Sequence, residues 1–266
     1  MNRTVLSAVI ALCAVIIFIP APSGAMSLGV GATTWYAWWQ PAWAEGESTG
    51  VGPGSFDWEI DPSIMAGPII SLGVTDSITL SSVLVFGKYE ASTSIPAALE
   101  TWSRDVTKYE IDTTLAWRVM PMVSLFAGLK FLGYRYDETH ETTMGTYNGE
   151  SNFDGYGPGI GGSVTLPVTG NLFASLSASF IYLINNYENK PPVGGSYSSD
   201  VTGYGGNASL SLMYLFPGYN TVISAGLRYQ AIKFSQDEVI GGQFNYDGNR
   251  DHFYGVTVSA IYTFNL

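Results

Sequence analysis

From about residue 27 onward, apolar side chains recur at every second position in stretches of about ten residues, with turn signals between them. An extended chain sends successive side chains to opposite faces, so a period of two describes strands with one oily face. The segments AGLKF at 127–131 and AGLRY at 225–229 sharpen the point. In each, Ala, Leu and an aromatic residue share one face, while Gly and a single cation take the other. A soluble core rarely holds a lone Lys or Arg. Such strands need an apolar outside and an inside with room for charge.

The alternation places ten strands, near 27–39, 63–74, 78–89, 106–119, 123–136, 155–168, 171–183, 202–215, 220–234 and 252–266. Four connections are tight, at Thr75-Asp76-Ser77, Met120-Pro121-Met122, Thr169-Gly170 and Pro217-Gly218. Five are long and polar, at about 40–62, 90–105, 137–154, 184–201 and 235–251. This predicts an all-β fold, a ten-stranded antiparallel transmembrane β-barrel with short periplasmic turns, long extracellular loops and both termini on the short-turn side. A soluble sandwich also shows many short strands. It has no reason to sort its connections by length. The 31 Gly, 17 Tyr and 7 Trp suit β-structure. No apolar stretch after Ala25 is long enough for a membrane helix. A net charge of −11 argues against nucleic acid as a partner.

The first residues point to export. Arg3 precedes an apolar run from Val5 to Ile19, then Pro20, Pro22 and the small residues Ser23-Gly24-Ala25. This reads as a secretory signal peptide cut near Ala25, giving residues 1–25 as signal and 26–266 as barrel. The run is too short for a spanning helix. The single cysteine, Cys13, lies inside it, and Leu12 before it argues against a lipoprotein site. Without a thiol, the remaining chain has no disulfide and no cysteine metal site.

On the last strand, Val256, Val258, Ala260, Tyr262, Phe264 and Leu266 share one face. Thr257, Ser259, Thr263 and Asn265 take the other, with Ile261 the exception. This ending resembles the C-terminal strand of bacterial outer-membrane β-barrel proteins. The resemblance implies recognition by the outer-membrane assembly machinery, and a place in the bacterial outer membrane among its lipids and lipopolysaccharide. Such chains most often end on an aromatic residue, whereas this one adds Asn265 and Leu266. Tyr156, Tyr204 and Tyr254 each have a large apolar residue ten positions on, namely Leu166, Tyr214 and Phe264. Aromatics at both ends of a band about ten residues long are what two membrane interfaces select. Tyr156, Tyr204, Tyr214, Tyr254, Tyr262 and Phe264 are therefore expected to form an aromatic girdle.

The stranded cations turn inward on this scheme. Val123, Leu125, Ala127, Leu129 and Phe131 face lipid, as do Ile223, Ala225, Leu227 and Tyr229, which sends Lys130 and Arg228 to the lumen. A cation on the lipid face at mid-membrane would cost roughly 2–4 kcal/mol. Lys108, Glu110, Asp112 and Arg118 share the inward parity of the fourth strand. A turn centred on Pro121 sets Asp112 opposite Lys130, Glu110 opposite Leu132 and Arg118 opposite Ser124. Opposite charges facing across an antiparallel pair leave neither ion alone. Lys88 is expected to join, so the lumen network comprises Lys88, Lys108, Glu110, Asp112, Arg118, Lys130 and Arg228.

Much of the remaining inner wall is Gly, Ser and Thr: Gly157, Gly159, Gly161, Ser163 and Thr165 on one strand, Gly203, Gly205, Asn207, Ser209 and Ser211 on another. Ten strands with so thin a lining leave either a narrow water path or space for Trp35, Phe126 and Phe173 to fill. Pro68 and Pro158 each follow a glycine and predict local bulges near the outer rim.

The leading functional expectation is a narrow porin-like channel for ions or small polar solutes, and not an enzyme. The alternative is a closed barrel displaying loops for adhesion or envelope structure, with Trp43, Trp58 and Trp102 as loop aromatics. The strand number resembles the omptin proteases, whose site implies paired aspartates and an Asp-x-His unit. Here Glu110-Ile111-Asp112 matches only loosely, and Asp251-His252 lacks the spacer that puts both on one face. No catalytic residue and no cofactor is assigned. Of the 22 acids, only Asp76, Glu110 and Asp112 lie outside the long loops. Acidic runs such as Asp137-Glu138 and Asp237-Glu238 suit solvation, or weak binding of divalent cations by carboxylate oxygens. They lack the Asp-x-Asp-x-Asp-Gly pattern of a specific calcium loop.

Overall fold

The computed structural model describes residues 26–45, 58–95, 99–190, 195–236 and 248–265. The expected signal segment, the acidic run Asp237-Glu238 and Leu266 lie outside the described residues. The strands in chain order are β1 (Ser27–Gln40), β2 (Glu59–Ile60), β3 (Ser63–Gly73), β4 (Ile78–Ile95), β5 (Glu100–Met120) and β6 (Val123–Thr142). They continue with β7 (Gly145–Pro167), β8 (Leu172–Lys190), β9 (Tyr197–Phe216), β10 (Thr221–Gln236) and β11 (Arg250–Asn265). One helical turn, α1 (Ala42–Glu45), follows β1.

From β3 onward each strand pairs antiparallel with the next in the chain, and β1 closes the sheet by pairing with β11 as well as β3. The short β2 pairs with β4 above β3, so β2 and β3 form one stave interrupted at Asp61-Pro62. The result is a closed barrel of ten staves, as the alternation predicts. Both described ends sit with the tight turns, since Ser27 pairs with both Gly73 and Asn265. Local chemistry sets those turns. The Thr75 hydroxyl accepts from the Ser77 and Ile78 amides at 3.2 and 3.0 Å, and Asn220, at φ 48°, closes the 3-10 turn Pro217–Tyr219.

At the other end the strands run far beyond the expected boundaries. β7 has 23 residues and β6 has 20, roughly twice the 9–11 needed to cross a bilayer. Residues 137–154 are therefore no loop: Thr143 and Met144 alone connect β6 to β7. Most of 90–105 and 184–201 is likewise strand. Charge signals a loop only inside a membrane-height window. Above it, strands stand in water and tolerate Asp137 and Glu150.

Gly67-Pro68 and Gly157-Pro158 do not bulge. The β3–β4 and β7–β8 ladders skip these positions and resume in the same register. The register shift within the β5–β6 ladder lies instead between Arg118 and Met120, beside the turn. Each glycine permits a close approach, because a Cβ at Gly67 or Gly157 would collide with the Leu84 or Tyr182 carbonyl of the adjacent strand.

The two faces differ as the period of two requires. Leu125, Leu129, Leu210, Leu212 and Leu227 all expose more than half their surface outward. A contiguous apolar exterior of this kind is foreign to a water-soluble monomer. All six girdle aromatics point outward and are exposed. They fall in two rows: Tyr254 pairs with Trp38 and Tyr229 towards the hairpin end, and Tyr262 with Val30 and Thr221 towards the turn end.

Candidate functional site

The parity of β5, β6 and β10 carries five ionisable side chains to one level of the bore. Lys130 Nζ lies 2.6 Å from Glu110 Oε1 and 3.0 Å from Asp112 Oδ1. Arg228 Nη2 bonds Glu110 Oε1 and approaches Asp112 Oδ2 at 3.3 Å. Lys108 Nζ stands 3.6 Å from Glu110 Oε2. The expected register holds, with Asp112 opposite Lys130, Glu110 opposite Leu132 and Arg118 opposite Ser124. Lys108, Glu110 and Lys130 are at most 2% exposed, whereas Asp112 (28%) and Arg228 (18%) remain partly open. Charges so confined need their partners, since losing one costs far more than the pair contributes.

Two residues of the expected network stand apart. Lys88 is exposed on the outer face, because Val85, Gly87 and Tyr89 take the inward positions of β4. Arg118 keeps the inward parity but is exposed close to the turn end, below the cluster.

The network extends upward to Asp251, which lies on β11 and not in the long loop expected over 235–251. Lys108 Nζ donates to the Tyr134 hydroxyl at 3.3 Å, and Tyr134 donates to Asp251 Oδ2 at 2.6 Å. Asp251 Oδ1 accepts from the Ala42 amide at 2.7 Å, fastening α1 inside the mouth. Its parity with Phe253 and Gly255 was the available signal.

Above the ions the bore is packed with rings. Trp39 lies nearly parallel to both Tyr134 and Phe253, with each centroid 5.4 Å away. Tyr89 meets Trp39 edge-on at 5.2 Å, and Phe153 meets Tyr134 and Phe234 in the same manner at 5.6 and 5.3 Å. These rings come from staves around the whole wall. Cations close the seams: Lys108 Nζ sits 3.5 Å over Phe253, and Arg228 Cζ 4.5 Å over Trp35. A desolvated cation over a ring contributes about 2 kcal/mol. Higher still, Arg104 lies over both Trp43 and Trp58 at 4.5 and 4.7 Å and pairs with Glu138, its Nε 2.7 Å from Oε1. Two of the loop aromatics thus line the mouth. Trp102 stacks on His140 at 3.7 Å.

Below the ions lies a cavity of about 340 Å³, lined by Thr33, Ser177, Ser211, Ser224 and Ser259, with Asp112, Lys130 and Arg228 at its ceiling. Phe173, Met213, Val222 and Ile261, the inward residues nearest the turns, are all partly exposed. Trp35 and Phe126 also line it, the latter lying against Gly161. The rings that fill the upper bore are Trp39, Tyr134 and Phe253 rather than the expected Trp35, Phe126 and Phe173.

The paired carboxylates have no histidine beside them among the described residues. His252 turns outward, its Nδ1 2.8 Å from the Tyr229 hydroxyl, while Asp251 turns inward. His140 Nε2 lies 3.1 Å from Glu100. Adjacent residues on a strand cannot share a face.

A closed antiparallel barrel with an apolar exterior and a polar, ion-bearing bore defines an integral membrane β-barrel of the outer-membrane type. No protein-family model matches the chain, and no curated protein matches it by sequence. Similar solved folds include the translocator domain of autotransporter NalP from Neisseria meningitidis, at 11% identity and TM-score 0.49 over 98% of this chain and 95% of that one. The outer membrane protease OmpT from Escherichia coli is similar at 10% identity and TM-score 0.47, over 91% and 95% of the two chains. The attachment invasion locus protein Ail of Yersinia pestis is similar at 11% identity and TM-score 0.31, over 91% and 100%.

Proposed function

We propose that this chain is an integral barrel of a bacterial outer membrane that is closed to through flow and presents its tall hairpins outside the cell. The packed rings of Tyr134, Trp39 and Phe253, set on the buried ions Lys108, Glu110 and Lys130, carry this reading. On it, the aromatic rows mark the membrane interfaces. Ten residues span about 33 Å along a strand, or about 25 Å vertically at the tilt usual for such barrels, the height of an outer-membrane apolar band. The C-terminal strand would engage the assembly machinery, and outer-membrane lipids and lipopolysaccharide would surround the wall. The role on this reading is structural or adhesive, with Glu110 and Asp112 serving as ion partners of Lys130 and Arg228.

The cavity favours one second reading, a narrow channel that opens when the ion layer parts. Planar-bilayer recording of refolded protein separates the two. Silence from the wild type, with steps appearing in Trp39→Ala, supports the closed barrel. Wild-type steps whose ion selectivity changes on neutralising Lys130 or Asp112 would support the channel.

A further inference from the structure

The outer face of β9, β10, β11 and β1 differs from the rest of the wall in two independent ways. Lys233 and Arg250 stand directly opposite each other across the β10–β11 ladder, both outward. Like charges so placed repel and destabilise the pair, and neither makes an ion pair with a described carboxylate. Below them, at the height of the apolar band, lies a groove of about 410 Å³. Ala208 and Gly255 floor it, Leu176 and Leu210 wall one side, and Trp38 and Tyr254 stack at 5.8 Å on the other.

Between the groove and the cations lie the small Ala231, paired with Gly206, and the hydrogen bond of 2.8 Å between the Tyr229 hydroxyl and His252 Nδ1. Lys233 lies four positions above Tyr229, which pairs with Ala208, a rise of about 13 Å along the strand. A greasy furrow ending under a doubled positive charge matches an acyl chain attached to an anionic headgroup. The exposed Gln40 and Tyr204 flank the cations and add donors suited to a sugar phosphate.

We infer that this face binds a phosphorylated glycolipid of the lipopolysaccharide type, with a phosphate on Lys233 and Arg250 and one acyl chain in the groove. The choice of glycolipid rests on the proposed orientation, which puts the hairpin end in the outer leaflet. The phosphate relieves the repulsion between the two cations, and the furrow fixes the chain beneath.

Native mass spectrometry of the detergent-purified barrel tests this, titrated with diphosphoryl lipid A, with dephosphorylated lipid A and with phosphatidylglycerol. The expected result is retention of diphosphoryl lipid A, with at least tenfold weaker binding of the dephosphorylated form. The double variant Lys233→Gln/Arg250→Gln should lose at least tenfold, and Ala208→Phe, which fills the groove from the lipid side, several-fold. Lys88→Gln, an outward cation on β4, three staves from β11, should leave binding unchanged. Equal affinity in the double variant, an equal loss in Lys88→Gln, or phosphatidylglycerol binding as tightly as lipid A would each overturn the assignment. Membrane fractionation of the same variants reports outer-membrane residence separately. A failed lipid site therefore leaves the barrel reading standing.

Discussion

Glu110 is the residue on which the bore depends. It is 1% exposed and holds Lys130, Arg228 and Lys108 together. Replacing it by Gln leaves three cations around a neutral group, and breaking a buried pair in this way costs about 3–5 kcal/mol. Asp112 touches two of the same cations but opens onto the cavity, where water takes over part of its role. Glu110→Gln should therefore lower the urea midpoint of the folded barrel clearly more than Asp112→Asn. Equal or reversed losses would show that burial does not set the strength of this cluster. The contact between Asp112 and Lys130 was legible in the sequence, because a turn at Pro121 fixes the register and parity fixes the face. Lys88 was misassigned because β4 has no clean alternation: Ser81, Ser82, Val83, Leu84 and Val85 follow one another with no polar–apolar switch. Asp251 was overlooked because a carboxylate near a chain of polar residues looks like loop.

At the level of strands, the alternation fixed which segments cross the membrane, and it failed where the membrane stops. Between the aromatic rows, lipid forbids charge on the outer face, so polarity marks strand ends. Beyond them both faces of β6 and β7 can be polar, and the pairing continues unseen to Thr142 and Gly145. The glycines before proline have a purpose the sequence did not disclose. Their ladders keep register while the neighbouring backbone approaches too closely for a side chain. Gly157→Ala should therefore lower the yield of heat-modifiable folded barrel on refolding into detergent. Gly162→Ala, whose added carbon would stand 3.3 Å from the nearest atom, the Ser124 carbonyl oxygen, should fold nearly as wild type. Equal yields would show that the close approach does not constrain the fold.

For the whole molecule, the sequence told which residues face the bore but not how far each reaches across it. Parity puts Trp39, Tyr134 and Phe253 inside; only their three-dimensional arrangement stacks them into a septum. The barrel is thereby divided, with a Ser- and Thr-lined vestibule at the turn end and a ring-packed core at the hairpin end. The single cysteine of the sequence is Cys13, so in a chain prepared from residue 26 onward one introduced thiol reports on the division without interference. Ser211→Cys lines the vestibule beneath the ions. In oriented proteoliposomes, a small membrane-impermeant thiol reagent should label it when added from the turn end and leave it unlabelled when added from the hairpin end. Labelling at comparable rates from both sides would contradict the septum, and with it the closed barrel.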